Sequence, residues 1–326
     1  MKTIEVRNLR KIFRRPLKSE GFKGLLKFYF NPSYDEVEAL KGISFDAYKG
    51  EILTILGPNG AGKTTTLKIL TGILHPTDGT ARVLGYIPQQ REREFLNRIG
   101  FLSSQRRFAQ YVGWDLPAVD VFRLVKAIYD IENEAFRVRV KKFVDMLEIG
   151  EFLEVPIRKL SLGQRAKVEI ITAVLHHPDV LFLDEPTLGL DVVAADILRN
   201  FIIEYVQETG STVIFTSHYM KDVESLSDRL IIIDRGEIIF EGDIGEIYRK
   251  FSKFRKIKFI LEGNIEKPPF EEFLQSHDGN ELSYTVAIDE TKEFISAMIS
   301  KYPVRDLTVE EQDLEDIIKT VFRRET

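Results

Sequence analysis

The join between a short apolar run and a glycine-rich turn constrains this chain more than any other feature. Residues 51–56 read EILTIL, a run of strand formers, and lead directly into Gly57-Pro58-Asn59-Gly60-Ala61-Gly62-Lys63-Thr64. That octet has the spacing of a phosphate-binding loop. Its glycines let backbone N–H groups curl around phosphate oxygens with no Cβ in the way. A helix is expected over residues 64–74, capped by Gly72 and stopped by Pro76, and its positive N-terminus aims at the same anion. The pattern assigns nucleotide contacts to Gly57, Pro58, Asn59, Gly60, Ala61, Gly62 and Thr65. Lys63 reaches the β- and γ-phosphates, and Thr64 ligates Mg²⁺.

A second apolar strand, Val180–Leu183, ends in two carboxylates, Asp184 and Glu185. Many strands end in an acid, so this pair gains meaning only from standing downstream of a phosphate loop. There Asp184 is expected to hold Mg²⁺ through water, and Glu185 to polarise the attacking water. Short apolar strands recur at 212–216 and 230–233 with helical stretches between them, which predicts a mainly parallel sheet with covered faces. Residues 3–13 and 37–46 read as further strands. Pro16, Gly21, Gly24 and Pro32 mark 14–36 as an insertion, and helical spacing runs through 118–149 and 164–177. After Gly245 the pattern changes to strands at 255–261, 282–288 and 304–309 with helices at 289–301 and 311–323.

The pentapeptide Leu160-Ser161-Leu162-Gly163-Gln164 lies just before the second strand. Taken alone, Ser161 followed by Gln164 has the form of a capping box at a helix start. Taken with the phosphate loop and the Asp184-Glu185 strand, it resembles the LSGGQ signature of ABC ATPases, with Leu162 in place of a glycine. The other landmarks of that family follow in order. Gln105 matches the Q-loop glutamine, Leu188-Gly189-Leu190-Asp191 the D-loop, and His218 the switch histidine. The resemblance covers residues 1 to about 245. It implies an α/β fold in which a P-loop NTPase sheet carries an ABC-type antiparallel β lobe and a helical lobe (about 103–165), followed by a small C-terminal α/β appendage, 246–326. It also implies ATP and Mg²⁺ as cofactors, with Glu185, His218 and Gln105 catalytic and Thr64, Gln105 and Asp184 about the metal. Ser161, Gly163 and Gln164 would contact the nucleotide of a partner cassette. Phe13 would stack on adenine, with Tyr34 as a rival.

One chain holds one phosphate loop and one signature, so the resemblance implies a head-to-tail homodimer closed by two ATPs and coupled to an integral-membrane permease. The segment Tyr111–Phe122 resembles cassettes of ABC-2-type exporters, and places Trp114 near the groove that receives the permease. An importer subunit and a soluble ATPase of iron–sulfur cluster assembly are the competing readings. The net charge of −5 gives no basic field for nucleic acid. The chain has no cysteine, which excludes disulfides and thiolate metal sites. No run reaches the roughly 20 apolar residues of a membrane helix. The expected location is therefore cytoplasmic, held on the inner face of the membrane through the permease. In the insertion, Lys18, Lys23 and Lys27 stand among Phe22, Phe28 and Phe30, a mixture suited to a membrane surface or to packing on the β lobe.

Overall fold

The structure, a computed structural model, describes residues 1–16, 34–103, 114–263, 265 and 267–323. It divides into two compact units, Met1–Gly242 and Asp243–Thr326. The division falls just before the Gly245 read from the sequence, because Asp243 already caps the first helix of the second unit, accepting from the Glu246 N–H.

The first unit opens with a long hairpin, β1 (Lys2–Pro16) and β2 (Tyr34–Tyr48). Residues 14–16 and 34–36, expected within the insertion, instead extend these strands, pairing Arg14 with Glu36 and Pro16 with Tyr34. The charged residues and Pro16 conceal the strand, and Arg14, Tyr34, Asp35 and Glu36 are exposed, with no apolar alternation to reveal it. Residues 17–33, with the lysines and aromatics of the insertion, lie outside the described residues. Next come β3 (Ile52–Leu56), α1 (Lys63–Leu70), β4 (Asp78–Val83), α2 (Arg93–Asn97) and β5 (Ile99–Leu102). The stretch 118–149 is two helices, α3 (Ala118–Ile128) and α4 (Asn133–Leu147). Asp130 between them takes a left-handed φ of 51°, which ends the first helix although the apolar spacing runs on.

Then follow α5 (Leu162–Val174), β6 (Val180–Asp184), α6 (Val192–Thr209), β7 (Thr212–Ser217), α7 (Met220–Leu226), β8 (Arg229–Asp234) and β9 (Glu237–Gly242). The main sheet has the order β5-β6-β7-β3-β8-β9, parallel except for the final pair. Every residue of β3, β6 and β7 is buried, as strands covered on both faces must be. A separate antiparallel sheet, β2-β1-β4, forms the β lobe. The helical lobe packs Val121, Phe122, Phe143 and Leu147 into one core with Ile171 and Phe201 of the helices beside it.

The second unit contains α8 (Ile244–Phe251), β10 (Phe254–Leu261), β11 (Leu274–Asp278), β12 (Glu281–Ala287), α9 (Thr291–Lys301), β13 (Val304–Glu311) and α10 (Leu314–Arg323). Its antiparallel sheet runs β11-β12-β10-β13, and one face packs Phe259, Tyr284 and Val286 against Phe294 and Met298 of α9.

Candidate functional site

In the main sheet β6, β7 and β3 are neighbours and parallel, so the segments leaving them emerge at one edge. The loop after β3 is the glycine-rich octet. A Cβ on Gly57 would lie 2.2 Å from the Ile233 carbonyl oxygen, so glycine alone lets this turn pass against β8. Gly62 caps α1 at φ 114°, a conformation that side chains avoid, and a Cβ there would meet the Ala39 oxygen at 2.8 Å. Lys63, the first residue of α1, is 5% exposed. Its ammonium donates to the carbonyls of Gly57 at 2.6 Å and Pro58 at 3.2 Å. These bonds curl the loop around the lysine.

Asp184 ends β6, almost fully buried. Its Oδ1 accepts hydrogen bonds from Thr64 Oγ1 and Thr216 Oγ1, both at 2.9 Å. Thr64 of α1 and Asp184 of β6 therefore present hard oxygen donors side by side, the ligand type Mg²⁺ takes while keeping several waters. These two residues fit a Mg²⁺ ion bound with a nucleotide. Glu185, next along, has a left-handed φ of 50°, rare for a side-chain-bearing residue. The turn is held because the Glu185 N–H donates to the Thr216 carbonyl and hydroxyl, both at 3.1 Å. The carboxylate is thereby brought to Lys63 Nζ at 3.7 Å and to His218 Nδ1 at 3.3 Å. His218 follows the end of β7 and is partly open to solvent.

Lys63 is pushed below its ordinary pKa, chiefly by burial, with Glu185 and then Asp184 pulling it back up. Two carboxylates thus compensate only part of its desolvation. An anion entering the loop would favour the charged ammonium further.

The structure brings together Gly57–Thr64, Asp184, Glu185 and His218. Gln105 lies outside the described residues, as does the start of the Tyr111–Phe122 segment. Ser161 and Gln164 form a full capping box at the start of α5: Ser161 N donates to Gln164 Oε1 at 2.9 Å, and Gln164 N donates to Ser161 Oγ at 3.2 Å. Both readings of LSLGQ therefore remain compatible with the residues. Among the described residues no hydrogen bond or ion pair joins Ser161 or Gln164 to the phosphate loop. Leu162 is 45% exposed, and Val192 and Val193 at the start of α6 are 68% and 69% exposed.

Phe13 sits on β1 opposite Val37, half open, with Lys11 Nζ 5.2 Å from its ring centre. Trp114 packs on the helical lobe beneath the Arg165 guanidinium, 4.6 Å from its ring centre. Beside β5 lies a groove, a cavity of about 720 Å³ walled by Leu102, Ser103, Val125, Tyr129, Thr172 and His176. Thr216, which supports both Asp184 and Glu185, was not singled out in the sequence. Its signal would have been a hydroxyl two residues before the histidine, at the end of the apolar run Val213–Phe215.

Comparison with known proteins bears on the family and the fold. The profile of the ABC transporter family matches residues 40–188. An uncharacterized ABC transporter ATP-binding protein of Methanocaldococcus jannaschii is 34% identical over 241 residues, covering 73% of this chain and 84% of that protein. The linearmycin resistance ATP-binding protein LnrL of Bacillus subtilis is 35% identical over 234 residues, 71% of this chain and 73% of that one. A solved dimeric ATP-binding cassette in a post-hydrolysis state with ADP and phosphate superposes with a TM-score of 0.61 at 23% identity, covering 74% of this chain and 98% of the other.

Proposed function

The chain belongs to the ABC transporter family as an ATP-binding, ATP-hydrolysing subunit, and on that premise we propose that it drives export through a separate integral-membrane permease. The observation that carries the reading is the meeting of Lys63, Glu185 and His218 within 3.7 Å at the mouth of one glycine-rich loop. Lys63 and the backbone N–H groups of residues 57–62 bind the phosphates of ATP. Glu185 accepts a proton from the attacking water, and His218 holds the far side of that carboxylate. Thr64 and Asp184 would hold Mg²⁺, which supplies charge neutralisation at the phosphates. Gln105 would complete the metal and water contacts, and Phe13 offers an exposed ring for adenine.

Ser161, Gly163 and Gln164 serve the nucleotide of a second copy. The start of α5 directs its positive end outwards, and exposed Leu162, Val192 and Val193 provide the apolar surface that a second cassette covers. ATP then favours the closed pair, and hydrolysis releases it. Among the described residues no helix is long and apolar enough to cross a membrane; in this reading the path for cargo is formed by the permease. We place the permease contact at the groove beside Ser103. The relative named for linearmycin resistance is in keeping with export.

The test is Glu185→Gln. It should retain ATP, form a dimer with it on a sizing column, and hydrolyse roughly 10²- to 10⁴-fold more slowly. A wild-type rate removes Glu185 as the base. A monomer at saturating ATP removes the sandwich. Co-expression with its permease, sought among the membrane proteins encoded nearby, should recruit the chain to membranes. A chain indifferent to that partner favours a soluble ATPase instead, and uptake rather than efflux in vesicles favours an importer.

A further inference from the structure

Behind the site lies a second polar cluster, buried and outside the motifs. Asp222 in α7 is 1% exposed, and its carboxylate accepts three hydrogen bonds. Oδ1 accepts from Arg199 Nη1 at 2.6 Å, while Oδ2 accepts from Thr187 Oγ1 at 2.5 Å and from Ser217 Oγ at 2.9 Å. Arg199 in α6 is itself buried and sends Nη2 to Asp196 Oδ1 at 2.5 Å. The carboxylate charge is thus neutralised by a guanidinium, which frees Oδ2 to bind two hydroxyls.

The placement of those hydroxyls is informative. Thr187 stands two residues after Glu185, in a turn closed by Leu188 N donating to the Glu185 carbonyl at 3.2 Å. Ser217 immediately precedes His218, and its hydroxyl also accepts from Tyr219 N at 2.9 Å, so it straddles the histidine. One oxygen atom therefore fastens the segment carrying Glu185 to the segment carrying His218. Those are the two side chains that meet at 3.3 Å.

We infer that Asp222, held by Arg199, is a positioning residue for hydrolysis that sets Glu185 and His218 in register through Thr187 and Ser217. This rests on the roles assigned to Glu185 and His218 above. Neither Thr187 nor Ser217 bonds to the phosphate loop, so the clamp governs turnover and leaves nucleotide binding alone. Because both arms end on the same oxygen, releasing either one frees the register and releasing the second adds little.

The experiment is a double-mutant cycle of Thr187→Val and Ser217→Ala, each removing a donor with little change of shape, with Thr187→Ser as the conservative variant. Each single variant should lower kcat about tenfold, a modest share of what a 1 Å misplacement can cost. ATP affinity should stay within about twofold. The double variant should also lose about tenfold rather than the hundredfold of independent sites, and Thr187→Ser should restore most of the rate. A wild-type kcat in both single variants, full additivity, or a parallel loss of ATP affinity would overturn the inference. Glu185→Gln, measured beside them, separates the two levels. If it hydrolyses normally, the assignment of the base has failed. If it is inactive while the hydroxyl variants keep their rate, only the clamp has failed.

Discussion

The first unit of this chain is built on a mainly parallel sheet and the second on an antiparallel one, and the difference shows why the chemistry is where it is. In the first unit β3, β6 and β7 lie side by side and point the same way. Their C-terminal ends share an edge, so Lys63, Glu185 and His218 converge although they are far apart in sequence. In the second unit neighbouring strands run in opposite directions, and successive loops leave by opposite edges. That unit binds its own core firmly, yet among the described residues it gathers no comparable constellation of lysine, carboxylate and histidine.

The sharpest way to test the contrast is to damage each unit in turn. Lys63→Ala removes one member of a buried charge pair, a loss of about 2–5 kcal/mol by precedent. ATP affinity should fall at least a hundredfold by calorimetry, with thermal unfolding of the second unit unchanged. Tight retained binding would mean that the loop does not cradle phosphate. Phe259→Ala should do the reverse. The ring is fully buried, and its removal should destabilise the second unit by about 4 kcal/mol. Hydrogen exchange should rise across residues 254–311 while the ATP affinity holds. If affinity fell in step, the two units would not be separable in function.

A smaller effect concerns acid. His176, just after α5, is held to a pKa of about 4 by burial, against the help of its hydrogen bond to the Ile99 carbonyl at 2.9 Å. His177 moves in the same direction, with burial again the first cause and Arg139 the second. A histidine depressed in the folded state takes up its proton first in the unfolded state. The first unit should therefore keep full stability above about pH 6.5 and lose up to about 3 kcal/mol as pH falls towards 4. Denaturant titrations at pH 7 and pH 4.5 measure this. His176→Phe should flatten the larger part of that slope even if it lowers stability at both values, and an unchanged slope would place the acid sensitivity elsewhere.

What the sequence disclosed followed from locality. A strand, a glycine loop and a helix start within a dozen residues carry their own geometry, so Gly57–Thr64 could be read directly. Asp184, Glu185 and His218 were legible through order and spacing. The Asp222 clamp was not, because Thr187, Arg199 and Ser217 reach it from three separate elements and none of them forms a motif with it. Edge strand β11 was missed because it is largely exposed and shows no apolar alternation. The ends of the hairpin were hidden by charged residues in a ribbon with little to bury. For Trp114 the structure adds a stacking partner, Arg165, which the sequence order could not supply.

The sheet order also has a bearing on how the chain is made. β3 is complete at Leu56, but its partners β7 and β8 begin only at Thr212 and Arg229. During synthesis the hairpin β1–β2 can close early, while the strand that presents the phosphate loop, apolar but for Thr54, must wait unpaired until most of the first unit has left the ribosome. That interval is when β3 is open to misassociation. Chaperone dependence should accordingly track the arrival of β7, and slowing translation just before Thr212 should cost more soluble protein than slowing it after Gly242.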